Sequence, residues 1–186
     1  MQEQEHTITR FIVDPIKGPF KTIEKAVEAC PPGGVVKIVG GVYSTEYPIV
    51  INKPIRIEPK EREGEVYLHG VIGPVLVIDL ENPDDICVIN DIKIGISGYP
   101  AGRFRQQMTV LGNPEFEQVA GPKAVFEFKI KKGMKSLVLH LGGTLRMELC
   151  LLSLNSLTHP FIRKIPCLVA YPGTVLILLE CDLRGN

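Results

Sequence analysis

The chain has 186 residues, 45% of them apolar, which is enough for one domain with a sizeable core and too apolar for a disordered chain. Acids and bases balance at 21 each, so the net charge is zero. That argues against bulk attraction to nucleic acid or to anionic lipid. No apolar run is long enough for a membrane-spanning helix.

In chain order, residues 1–9 read as a polar lead-in with no apolar signal region. Arg10-Phe11-Ile12-Val13 reads as a strand. Phe20, Ile23, Ala26, Val27 and Cys30 then fall on one face at helical spacing, with Lys21, Glu24, Lys25 and Glu28 opposite. This predicts a helix over Phe20–Cys30, with Thr22 able to cap its start and Pro31-Pro32-Gly33-Gly34 ending it. Short β-branched strands follow at Val35–Val39, Ile49–Ile51, Ile55–Ile57, Val66–Leu68, Val75–Ile78, Ile86–Ile89 and Ile92–Ile94. Gly, Pro, Asn and Asp lie between them, as turns require. One helix among so many strands excludes a βα-repeat fold.

From Ser97 to Pro122 the cadence breaks into a Gly-, Pro- and Gln-rich stretch with one short strand candidate, Met108–Leu111. It reads as an inserted loop, with Tyr99, Arg103, Phe104 and Arg105 as its expected contact residues. Ala124–Ile130 alternates like a strand, and Lys129, Lys131, Lys132 and Lys135 cluster around its end. GTLRMELCLLSLN at Gly143 and GTVLILLECDLRGN at Gly173 then repeat each other thirty residues apart, with one insertion before the Cys. Cys87 in DICVIND offers a similar small side chain in an earlier strand. A coil of roughly 20–30 residues suits a solenoid.

The stretch from Phe20 to Lys60 places Phe20, Thr22, Ile23, Ala26, Val27, Pro32, Val36, Ile38, Gly41, Tyr43, Glu46, Ile49, Ile51, Lys53, Ile55 and Ile57 in one order. With these residues it resembles the opening of the right-handed parallel β-helix proteins, the pectin lyase-like superfamily, and most of all the first rung of pectin methylesterases. The resemblance implies a mainly β fold: a single-stranded right-handed parallel β-helix with one N-terminal capping α-helix. Residues 1–186 form one domain on this reading. Residues 10–60 make the cap and first rung, 97–122 the insertion and 123–186 the C-terminal rungs.

The family's site motifs are not found. The methylesterase Asp, Gln and Arg motifs are missing. Asp84-Asp85-Ile86-Cys87 only approaches the polygalacturonase Asp-Asp-Cys, and Ile162-Arg163-Lys164 scrambles its basic motif. Inverting glycoside hydrolysis needs paired carboxylates with room for water, and Asp84 and Asp85 read better as a turn. Asp79, Glu81, Asp84, Asp85 and Asp91 lack the spacing of a calcium cage. His6, His69, His140 and His159 have no recognisable nucleophile partner and read as packed or surface imidazoles. The five cysteines, Cys30, Cys87, Cys150, Cys167 and Cys181, lie in apolar contexts without metal spacing and read as reduced and buried.

The expectation is therefore a non-catalytic scaffold or protein-interaction module, with no catalytic residues, cofactor or metal. It resembles the intracellular β-helix repeats of F-box and Shc-SH2-binding proteins. Its partners would be other protein subunits, hetero-oligomeric, with no nucleic acid and no membrane. Its location would be cytoplasmic, cytoskeletal association included. The chain stops after a strand-rich coil without a second amphipathic helix. Docking is thus expected through Val175, Ile177, Leu178 and Leu179 as well as through the insertion. The alternative is a diverged carbohydrate-active enzyme or polysaccharide-binding protein, against which the 6% aromatic content and the absence of Trp weigh.

Overall fold

A computed structural model describes residues 10–45, 47–62, 64–70, 74–96, 136–154 and 166–184. The insertion, with Tyr99, Arg103, Phe104 and Arg105, lies outside them, as do Met108–Leu111, Ala124–Ile130, the lysine cluster, His6, His159 and Ile162–Lys164.

The chain begins with β1 (Arg10–Val13) and the helix α1 (Ile23–Ala29). The helix is shorter than its periodicity predicts. Phe20 stands before it, bridged to Val13 and packed on the Phe11 ring at 5.6 Å between centroids. Thr22 is the N-cap and accepts from the Lys25 amide; Cys30 closes the other end, its amide donating to the Ala26 carbonyl. Ile23, Ala26 and Val27 form the buried face.

Fourteen strands follow: β2 (Val35–Ile38), β3 (Gly41–Thr45), β4 (Ile49–Ile51), β5 (Arg56–Pro59), β6 (Val66–Gly70), β7 (Leu76–Asp79), β8 (Ile86–Asn90), β9 (Ile92–Ile96), β10 (Val138–Gly142), β11 (Thr144–Glu148), β12 (Leu151–Leu154), β13 (Leu168–Ala170), β14 (Val175–Leu179) and β15 (Asp182–Arg184). Gly41–Thr45 was not anticipated as a strand: its single buried apolar residue before Thr45, Tyr43, gives too little alternation to read.

From β2 onward the strands are dealt in rotation to three sheets, and every pairing among the described residues is parallel. The first sheet runs β1-β2-β5-β8-β11-β14, the second β3-β6-β9-β12-β15 and the third β4-β7-β10-β13; none is closed. Each successive set of three strands, a rung, adds one strand to every sheet, and register places equivalent residues in columns. Phe11, Val36, Ile57, Ile89, Met147 and Leu178 form one column of the first sheet. Tyr43, Leu68, Ile94, Leu152 and Leu183 form one of the second. Ile51, Ile78, His140 and Ala170 form one of the third. The middle members of the two apolar columns, from Val36 to Met147 and from Leu68 to Leu152, are buried in a single core. This alternation of buried and outward residues, period two, is what the short β-branched runs encode.

The turn from first to second sheet repeats in three successive rungs. Asp91, Leu149 and Glu180 occupy it with φ of 51°, 55° and 53°. The Asp91 amide donates to the Glu148 carbonyl and the Leu149 amide to the Leu179 carbonyl. The corner, one residue long after β8 and two after β11 and β14, is held in its first two instances by the rung beyond it.

Register locates the insertion that the sequence repeat shows before the Cys. Thr144 pairs with Val175, not Thr174, and Leu145 with Leu176. The extra residue therefore sits directly after Gly173, before the strand begins. Cys87 pairs with Leu145 inside a strand, whereas Cys150 lies in the corner. The two are not in one column.

Candidate functional site

The two ends of the stack differ. At the first, α1 packs on β1, β2 and β4. Val13, Ile49 and Ile51, on strands it packs against, are at most 1% exposed, and Phe11, which begins the first column, is half-buried. At the other end the columns stop without cover among the described residues. Leu178 is 36% and Leu183 45% exposed, although both continue columns whose previous members, Met147 and Leu152, are fully buried. β13, β14 and β15 are the outermost strands of the three sheets, so one edge of each has no strand partner among the described residues. Such edges template further pairing.

Val175, Ile177, Leu178 and Leu179 do not act as one surface. Leu178 continues the inward column. Val175, Ile177 and Leu179 lie on the outer face of the first sheet, in register with Thr144, Arg146 and Glu148. That face changes character along the stack. It is charged in the middle: Glu58 pairs with Lys37 and with Arg56, and Glu148 with Arg146. Burial alone would raise the Glu58 pKa, but hydrogen bonds from Lys37 and Arg56 outweigh it and hold it below the usual value. On β14 the same rows become Ile177 and Leu179, 36% and 42% exposed. A surface that turns from ion pairs to bare aliphatics marks the last described rung as the strongest candidate for contact.

The groups with chemistry are elsewhere and dispersed. His140 is wholly buried in β10. Its Nε2 lies 3.2 Å from the Gly142 carbonyl and 3.1 Å from that of Gly143. Two acceptors require the proton on Nε2, which leaves Nδ1 buried and unpartnered. Burial lowers its pKa, against the two carbonyls, which raise it. His69 faces outward on the second sheet beside the Tyr67 ring, and burial lowers its pKa as well. Nearby, Lys93 lies 4.8 Å from the centre of the Tyr67 ring and pairs with Glu65. Asp84 and Asp85 sit in a turn: the Asp84 amide donates to Asn82 Oδ1 and the Asp85 amide to the Asn82 carbonyl.

A cleft of about 160 Å³ between the start of α1 and β3 is lined by Pro15, Thr22, Ile23, Val42 and Tyr43 among others. That is well below the roughly 300 Å³ at which small-molecule sites begin. No group of three or more His, Cys, Asp or Glu among the described residues could hold a metal ion. No helix among them is long and apolar enough to cross a membrane.

Comparison with known protein families, curated proteins and solved structures finds no match to this chain.

Proposed function

We propose that the chain is a right-handed parallel β-helix of the pectin lyase-like kind, acting as a non-catalytic interaction module within a larger intracellular assembly. Rotation of strands among three parallel sheets supports the fold, since a parallel crossover is overwhelmingly right-handed. Five cysteines with no disulfide among them support a reducing compartment.

One observation carries the docking role: the contrast between an end on which α1 packs and an end where Leu178, Leu183 and the outward Ile177 and Leu179 stand exposed beside three strand edges that have no strand partner among the described residues. The occupant is a different protein that presents strands running parallel to β14 and β15 over an apolar face. A second copy stacked head to tail would meet α1, which packs on β1, β2 and β4. A second copy related by a two-fold axis would have to match these same edges to themselves. Ile177→Lys tests the reading, because it places a charge on the outer face without entering a core column. It should abolish binding of the partner and leave the fold intact. A last rung covered by residues of the same polypeptide would refute the proposal.

A further inference from the structure

Cys150 and Cys181 occupy the same position in successive rungs, each directly after the left-handed corner residue, Leu149 or Glu180. The Asp182 amide donates to the Cys150 carbonyl at 2.9 Å, and the next residues, Leu151 and Asp182, are register partners. Their surroundings also repeat. The Cys150 thiol donates to the carbonyls of Ile89 and Glu148, at 3.4 and 3.3 Å. The Cys181 thiol donates to those of Met147 and Leu179, at 3.3 and 3.5 Å. Ile89 pairs with Met147 and Glu148 with Leu179. One thiol is therefore the other moved by one strand spacing, about 4.8 Å. In the preceding rung the same position holds Ile92, so the column contains a pair of thiols among the described residues.

That spacing falls inside the roughly 4.4–6.8 Å range of Cα separations found in disulfides. It exceeds the usual Cβ separation of roughly 3.5–4.5 Å, because parallel neighbours point their Cβ atoms the same way. A bond here would be strained, and strained disulfides are the labile, regulatory kind.

We propose that Cys150 and Cys181 form a reversible disulfide under hydrogen peroxide, stapling the last described rung to the one before it. Cys181 is half-buried and Cys150 is 1% exposed. Burial pushes the Cys150 thiol up to about 12, so it is the poorer nucleophile toward an oxidant in solution. Cys181 reacts first: its thiolate attacks one peroxide oxygen and forms a sulfenic acid, with hydroxide leaving and becoming water. The Cys150 sulfur, giving up its proton, then attacks the Cys181 sulfur and expels the sulfenic oxygen as a second water. Two thiols are oxidised by two electrons and one peroxide is reduced to two waters. A thiol reductant reverses the bond.

The full chain is treated with peroxide, quenched, alkylated and digested, and the linked peptides are sequenced by mass spectrometry. Fragmentation must separate Cys181 from Cys167, because trypsin leaves both in one peptide. The expected product is a Cys150–Cys181 link, two hydrogens lighter than the reduced peptides and lost on treatment with dithiothreitol. It should be absent in Cys181→Ser. In Cys150→Ser, Cys181 should instead label with dimedone as a stranded sulfenic acid. A link from Cys150 to Cys167 would overturn the proposal. So would over-oxidation without a link, or no reaction at Cys181.

Discussion

The Arg56 guanidinium on β5 reaches the Glu148 carboxylate on β11 across an entire intervening strand, 3.9 Å from Nη2 to Oε2. β8 lies between them, and in its register Val88 stands opposite Arg56 and Arg146. Valine is too short to interrupt the contact. Arg56 also pairs with Glu58, and Glu148 with Arg146, so the outer face carries a linked set of charges. Arg56 is 41% exposed, which lets solvent screen the pair. A double-mutant cycle of Arg56→Ala and Glu148→Ala should give a coupling below about 1 kcal/mol that shrinks with added salt.

The helix should matter far more. Ile23 is 2% exposed, on the face of α1 that closes the first end of the stack. Ile23→Asp puts a carboxylate there without a cation. It should cost on the order of 3 kcal/mol or more, read as a fall in the denaturation midpoint. A variant that melts with the wild type would remove the covering role from α1.

Two glycines should separate crowding from backbone strain. A Cβ at Gly142 would lie 2.4 Å from the Leu80 carbonyl oxygen, and backbone cannot swing aside. At Gly173 a Cβ would meet nothing within 4 Å, but φ is +87°. Gly173→Ala should therefore cost about 1–2 kcal/mol of conformational strain. Gly142→Ala should cost more, because β10 and the turn around Leu80 must part. Equal midpoints in urea would contradict this.

Acid should weaken the fold in two stages. His140 has a folded pKa lowered by burial, so the unfolded chain takes up its proton first. Stability from this group is complete above the unfolded value near 6.5 and falls as pH drops from there through the folded pKa. Glu58 is also lowered, so its contribution is present above the unfolded value near 4.3 and is lost as pH falls through its own folded pKa. In His140→Gln the first decline, measured as stability against pH from 7 to 5.5, should shrink to the part that His69, lowered by burial as well, contributes, and the second should remain.

Much of the strand content was legible because inward residues such as Val36, Ile57 and Ile89 alternate with outward ones at period two. Thr22 was legible as a cap because its hydroxyl is suited to the free amide of Lys25. Two of the corners were not. Asp91 is a turn-type residue between two strand runs, but Leu149 and Glu180 turn the chain with positive φ and nothing in their residue type announces it. The exposed quartet was half legible. Val175, Ile177, Leu178 and Leu179 announced an apolar end, but an uninterrupted apolar run hides which residues face outward. Only pairing with Arg146, Met147 and Glu148 separates Ile177 and Leu179 from Leu178. The extra residue Thr174 shifts that register by one, which a sequence repeat beginning at Gly-Thr conceals.

The docking role is tested most directly by photo-crosslinking from position 183, where Leu183 ends its column at 45% exposure, with position 16 as a control. Ile16 is 82% exposed but lies before α1, at the covered end. In the native cell, position 183 should crosslink to one distinct protein and position 16 should not. The purified partner should bind the wild-type chain and fail to bind Ile177→Lys. Crosslinks confined to the same polypeptide or to a second copy, or a purified partner that binds Ile177→Lys equally well, would contradict the account.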